Sequence, residues 1–138
     1  MNENLGLVSI MMPAFNAELF IQSAIESIIA QTYKKWELII INDGSIDQTE
    51  NIIGKFEDSR IKYFYQINKG EAAARNLALT KMKGEFVAFL DSDDKFLPQF
   101  LEKTVEYLSK NSDKDAVYTD GWFINTQDQV LEPLSSQR

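Results

Sequence analysis

The chain has 138 residues, with 14 Lys and Arg against 21 Asp and Glu, so it is long enough for one domain with a buried core and, at −7, carries the wrong charge for general nucleic-acid binding. It has no Cys and no His, which removes disulfides, thiolate chemistry, the commonest general base and the usual zinc ligand; any metal must be held by oxygen. No apolar run approaches the roughly 18 residues of a membrane span, and the first residues do not form a signal peptide, so the cytoplasm is the expected compartment.

Leu7-Val-Ser-Ile-Met-Met12 reads as a first strand, stopped by Pro13. Asn16 suits the N-cap of a following helix, with Glu18 in its first turn and Ile21, Ala24, Ile25, Ile28 and Ile29 at helical spacing. Trp36-Glu-Leu-Ile-Ile-Ile41 is a second strand, and Asn42-Asp43-Gly44 turns the chain. Ser45 and Gln48 have the spacing of a capping box for a second helix, whose apolar face carries Thr49, Ile52, Ile53 and Phe56. Arg60 to Tyr65 is a third strand, more alternating than the others and so expected at a sheet edge.

Asn68-Lys69-Gly70 leads into an Ala-rich helix over 71–80, which Gly84 is placed to end. Phe86-Val-Ala-Phe-Leu90 is a fourth strand that reads as buried on both faces and runs straight into Asp91, Asp93 and Asp94. Pro98 suits the first position of a fourth helix, with Leu97, Leu101, Thr104, Val105 and Leu108 on one face. Residues 115–124 look like a fifth strand, turned back by 126–129 onto Val130 and Leu131, and the tail from Leu134 is weakly structured on composition.

This alternation predicts an α/β domain: a Rossmann-like, mostly parallel sheet with helices on both faces. Ligands of such sheets bind outside the carboxyl ends of the strands. Here those ends carry Pro13-Ala-Phe-Asn16, Asn42-Asp-Gly-Ser45, Asn68-Lys-Gly70 and Asp91-Ser-Asp-Asp94. Neither G-x-x-x-x-G-K-[ST] nor G-x-G-x-x-G occurs, which argues against a P-loop ATPase and a dinucleotide-binding domain.

Asp91, Asp93 and Asp94 are hard oxygen ligands, and charges this close repel unless a cation or solvent takes them up. Asp91 and Asp93 can share an ion, since magnesium typically takes one or two carboxylates and completes its shell with phosphate oxygens and water. The competing reading is a solvated acidic turn in which Asp94 caps the next helix. Asp43 either accepts from a base N–H or caps the second helix. Phe15 either stacks on a base or joins the core. Arg75 either reaches an anionic ligand or is an ordinary helix-surface residue. An acidic domain binds a pyrophosphate poorly without a divalent cation between them, so these carboxylates fit a metal–diphosphate ligand better than a free anion.

The series Val8-Ser-Ile-Met-Met-Pro-Ala-Phe-Asn16, Glu37-Leu-Ile-Ile-Ile-Asn-Asp-Gly-Ser45, Asn68-Lys-Gly-Glu-Ala-Ala-Ala-Arg-Asn76 and Phe89-Leu-Asp-Ser-Asp-Asp94 resembles the nucleotide-binding part of family 2 glycosyltransferases, which have the GT-A fold. The resemblance runs from about Val8 to Tyr118. It implies a nucleotide-diphosphate sugar donor, often a UDP-sugar, bound with Mn2+ or Mg2+. It implies nucleotide-sugar binding at Pro13, Ala14, Phe15, Glu18, Asp43, Arg75, Asp91 and Ser92, with Asp93 the main metal ligand and Asp91 near the ribose or metal. Phe15 stands where the family often has Tyr.

The resemblance further implies an inverting transfer of the sugar to an acceptor hydroxyl of a glycan or lipid-linked molecule, at the inner face of the membrane where such acceptors lie. The base of such enzymes comes from a segment well beyond the metal motif. Asp128 and Glu132 lack a matching context, and neither is assigned as base. Residues 1–138 are therefore expected to form a single donor-binding domain that stops before the acceptor and base segment, completed by a C-terminal half or an oligomer mate. The rival expectation is a non-catalytic nucleotide-sugar binding fragment.

Overall fold

The computed structural model describes residues 5–137. Four parallel strands, β1 (Val8–Ala14), β2 (Trp36–Asp43), β3 (Ile61–Gln66) and β4 (Phe86–Phe89), lie in the order β3-β2-β1-β4. Helices α1 (Ile21–Ile29), α2 (Thr49–Ile53), α3 (Glu71–Lys81) and α4 (Phe100–Lys110) connect or follow them. A two-stranded antiparallel sheet, β5 (Trp122–Ile124) and β6 (Val130–Pro133), and a short 3-10 helix, Leu134–Gln137, complete the described chain.

The period-2 geometry of a strand divides the core. Val8, Ile10, Met12 and Ala14 of β1 and Leu38 and Ile40 of β2 face one way, against Ile21, Ala24, Ile25 and Ile28 of α1, Ile53 of α2, and Leu101 and Val105 of α4. Met11, Ile39 and Ile41 face the other way, against Ala74 and Ala78 of α3. The sheet therefore has helices on both faces. The small alanines let α3 lie close to β1 and β2. β3 lies at a sheet edge, as its alternation predicts.

Several boundaries differ from the sequence reading. Pro13 does not stop β1, because it sits in register with Ile41. The carbonyls of Leu7 and Met11 accept from Phe86 and Leu90 of the β4 segment, so odd positions of β1 turn their peptide groups toward β4. Pro13 shares that parity but lies past the end of the β1–β4 ladder, where its missing N–H breaks no bond. β4 is not buried on both faces. It is an outer strand among the described residues, with Phe86 and Ala88 packed on the core and Val87 and Phe89 exposed.

Helix boundaries shift for similar reasons. α1 starts after Phe20 rather than Asn16, which has a left-handed φ of 48°. α4 starts after Gln99, two residues past the expected start near Pro98, and Leu97 is exposed rather than part of the apolar face. α3 runs to Lys81 with Met82 as its cap, so Gly84 does not end it. Gly84 instead passes so close to β1 that a Cβ would meet Ser9 N at 2.6 Å and Leu7 O at 2.8 Å. The expected fifth strand shortens to β5 and does not join the main sheet, although its return onto Val130 and Leu131 is present as β6. The tail from Leu134 forms a 3-10 turn.

Candidate functional site

Ala14 and Asn42 are register partners at the ends of β1 and β2, so Phe15 and Asp43 leave neighbouring strand ends together. The two loops that follow are bonded to each other reciprocally. Asn16 N–H donates to Ser45 Oγ at 2.9 Å, and Ile46 N–H donates back to Asn16 Oδ1 at 2.9 Å. Glu18 N–H donates to Asp47 Oδ2 at 3.1 Å, and Gln48 N–H donates back to Glu18 Oε2 at 3.0 Å. Ala17 N–H reaches the buried Thr49 Oγ1 at 2.8 Å.

These bonds replace the caps expected from sequence. Ser45 forms no capping box with Gln48, because its hydroxyl serves Asn16 instead. Asp47 takes over the start of α2, accepting from Thr49 N–H at 2.9 Å and Thr49 Oγ1 at 2.6 Å. Burial alone would raise the Asp47 pKa, but the donors from Thr49 and Glu18 outweigh it and hold the carboxyl below its ordinary value.

Asp43 is buried, and its carboxylate does not cap α2. Oδ1 accepts from Gln66 Nε2 at 2.6 Å and Lys69 N–H at 2.8 Å, and Oδ2 accepts from Gly70 N–H at 2.9 Å. Burial would raise its pKa, yet these three donors lower it overall. Asp43 thus ties the end of β2 to the loop entering α3. Gly44 makes the approach possible: its φ is +75°, and a Cβ there would meet Asn68 N at 2.8 Å.

Beyond the end of β4 lies a cleft of ≈ 390 Å³ lined by Arg75, Phe89, Asp91 and Asp94. Arg75 Nη2 bonds Asp91 Oδ1 at 3.0 Å and also pairs with Glu71, one helical turn earlier. Asp94 N–H closes a tight turn onto Asp91 O at 3.1 Å. The turn ends well before α4, so Asp94 does not cap that helix. Loss of hydration, then the charges of Asp93 and Asp91, push the Asp94 carboxyl above the usual carboxylate range.

Among the described residues no three acidic groups converge into a ready-made cation cage. The donor set is hard oxygen, crowded and short of positive charge, with Asp91 and Ser92 half-buried and Asp93 exposed. Such a set suits an ion of the magnesium or manganese kind that takes one or two carboxylates and fills its shell with phosphate oxygens and water. It does not suit an ion needing an all-protein shell.

The sequence-derived residues fall into two groups. Phe15 and Glu18 stand on the stitched loops, Phe15 half-exposed rather than in the core. Arg75 and Asp91 meet directly, with Ser92 and Asp93 in the same turn. Ala14 is buried on the α1 side of β1, so its side chain belongs to the core, while Pro13 is half-buried. Asp128 pairs with Lys95 at 2.8 Å, and Glu132 accepts from Ser136 at 2.9 Å; neither lines the cleft.

The sequence reading named Phe89 only in its strand and Thr49 only on the packed face of the second helix, where it is buried, and gave no role beside the site to these two or to Asp47. Phe89 had a signal, because it lies two residues before Asp91 and so shares its side of the strand. Asp47 and Thr49 had none beyond ordinary turn chemistry.

The sequence profile of Glycosyl transferase family 2 matches residues 9–132. The UDP-Glc:alpha-D-GlcNAc-diphosphoundecaprenol beta-1,3-glucosyltransferase WfgD of Escherichia coli is 46% identical over 107 residues, covering 77% of this chain and 42% of that protein. Residues 1–349 of S. aureus TarS in complex with UDP-GlcNAc superpose with a TM-score of 0.73 at 29% identity, over 76% of this chain and 32% of that one. The mannosyltransferase PcManGT of Pyrobaculum calidifontis, in complex with GDP-Man and Mn2+, superposes with a TM-score of 0.71 at 23% identity, over 91% of this chain and 38% of that one, and shares the fold. The chain spans less than half the length of each of these proteins. Among the described residues no helix is long and apolar enough to cross a membrane.

Proposed function

The chain belongs to glycosyl transferase family 2, and from that premise we propose that it forms the donor-binding part of a glycosyltransferase that moves a sugar from a nucleotide-diphosphate donor, a UDP-sugar first, to an acceptor hydroxyl. The observation that carries this reading is the cleft at the end of β4, where Arg75 and Asp91 pair beside Asp93 and Asp94. The acidic turn suits a metal-bridged diphosphate, and Arg75 is the basic side chain lining the cleft.

In this reading Phe15 stacks on the base, and its half-exposed ring is available for that. Asp43 is a positioning residue that fixes the Lys69–Gly70 backbone under the nucleotide. Glu18 holds the second loop through Gln48 N–H. Asp93 and Asp91 would hold Mn2+ or Mg2+, which when bound neutralises charge gathering on the leaving diphosphate. The acceptor oxygen attacks the anomeric carbon from the face opposite the diphosphate, so configuration inverts as the C–O bond to the diphosphate breaks. A carboxylate takes the hydroxyl proton, and we assign that base to a segment beyond the metal motif that is not within this chain.

Calorimetric titration of UDP in the presence of Mn2+, on the native chain and on Asp93→Ala, tests the metal role. Equal affinity in the two proteins would sink it. A second reading, a donor-binding fragment that does not turn over, draws on the chain spanning less than half the length of its relatives. Steady sugar transfer by the purified 138-residue chain to a glycan or lipid-linked acceptor would reject that reading.

A further inference from the structure

Arg75 is the basic side chain that lines the acidic cleft, and it is already engaged there by Asp91 and Glu71. Its Nη2 is shared between the two carboxylates, with Asp91 Oδ1 at 3.0 Å. The three side chains are 38%, 48% and 58% exposed for Arg75, Asp91 and Glu71, so the pairs can open without unpacking the core. Asp93 and Asp94 lie in the same turn, and the Asp91 carbonyl closes that turn.

We propose that Arg75 is an internal counter-ion that competes with the divalent cation for Asp91, so that cation and nucleotide bind in linked fashion through this one side chain. The inference rests on the metal-bridged donor site proposed above. Without ligand, the guanidinium balances Asp91. Were Asp91 and Asp93 to hold a divalent cation, its charge would oppose that of Arg75 and the two would compete for the Asp91 carboxylate. Cation binding alone therefore works against the Arg75–Asp91 pair.

Glu71, one helical turn before Arg75 on α3, retains its pair with the displaced guanidinium. From there it faces the incoming nucleotide anion, whose negative charge replaces the partner that was lost. Nucleotide thus returns to Arg75 what the cation removed. Each ligand favours the other, and by reciprocity the coupling is the same in both directions. Arg75 thus acts on both ligands by its charge, and the Asp91 oxygen is the element it shares with the ion.

The test is binding of Mn2+ alone, read from the electron paramagnetic resonance of free Mn2+, with and without saturating UDP. The proteins are the native chain, Arg75→Gln and Glu71→Gln, with circular dichroism checking that each is folded. Arg75→Gln should bind Mn2+ alone about two- to fivefold tighter than native, the scale of a half-exposed ion pair. UDP should then narrow or reverse that difference. Glu71→Gln should bind Mn2+ alone more weakly, because Arg75 then commits to Asp91.

Unchanged or weaker Mn2+ binding by Arg75→Gln overturns the proposal, as does unchanged or tighter binding by Glu71→Gln. A difference that UDP leaves untouched also overturns it, since this is plain electrostatics without linkage. If the native chain binds UDP equally well with and without Mn2+ and binds no Mn2+ by itself, the donor-site reading loses its metal and this inference falls with it. The native UDP titration distinguishes that outcome from a failure of the Arg75 competition alone.

Discussion

Asn16 and Ser45 lie 29 residues apart, yet the backbone N–H of one donates to the hydroxyl of the other at 2.9 Å. With the return bond from Ile46 N–H to Asn16 Oδ1, this joins the loops after β1 and β2 into one unit. Asn16 also holds a left-handed backbone that most side chains avoid. Asn16→Gly should keep the conformation and lose the side-chain bond, while Asn16→Ala loses both. Thermal unfolding should rank native above Asn16→Gly above Asn16→Ala, the last about 2 kcal/mol below native. Equal stability of the Gly and Ala variants would show that the backbone strain does not matter.

Asp43 accepts from Gln66 and from the amides of Lys69 and Gly70. Asp43→Asn keeps the volume but removes the charge and leaves one acceptor oxygen. The expected loss is about 2–4 kcal/mol by urea unfolding, given the weight of hydrogen bonds to buried charged groups. Hydrogen exchange at the Lys69 and Gly70 amides should accelerate more than at Ile39 or Ile40. Unchanged protection there would contradict the tethering role.

Phe15 is 51% exposed, so Phe15→Ala should shift stability by less than about 0.5 kcal/mol. If its ring stacks on the base, UDP affinity should drop by about 1–3 kcal/mol, the scale of base–aromatic stacking. Calorimetry on the two proteins separates the effects. A stability loss with unchanged affinity would return Phe15 to a packing role.

Asp58 gives the clearest pH signature. Its hydrogen bond to the Arg60 guanidinium, aided by the Arg60 N–H and charge and opposed by burial, holds its pKa down to about 2. The folded value lies below the unfolded value of about 3.9, so the stabilisation is full above that range and is lost as pH falls through about 2. Asp58→Asn should cost about 1–2 kcal/mol at pH 6 after solvent screening, with the difference from native closing toward pH 2. Asp58 is the better residue to change, because Arg60 also stacks over Trp36 at 3.7 Å. A pH-independent difference in thermal unfolding would rule out ionic linkage.

The strands and most helices were legible because their signals are local. Runs such as Leu38–Ile41 and the spacing of Ile21, Ala24, Ile25 and Ile28 fix which residues must leave water, whatever surrounds them. Parallel order follows from the alternation of elements, and the sequence singled out Asp91, after β4, and Arg75, on the helix that follows β3, which the structure brings together as an ion pair. The burial of β4 was misread, because a continuous apolar run looks the same in a covered strand and in one whose outer face is open.

Only the tertiary structure decided the partners of polar side chains. Ser45 and Gln48 carry a valid capping-box spacing, but the Ser45 hydroxyl accepts from Asn16 N–H, which the pairing of β1 and β2 brings to it. Asp43 looks like a cap for α2, but its carboxylate meets the entry to α3 because β3 lies beside β2. A hydrogen bond is short and directional, so its partner is chosen among groups within about 3 Å, and chain separation says little about which groups those will be. Apolar burial has no such direction, and the sequence pattern therefore determined most of the core, while the meeting of Arg75 with Asp91 came from the packing of α3 against β1 and β2, with β4 paired to β1.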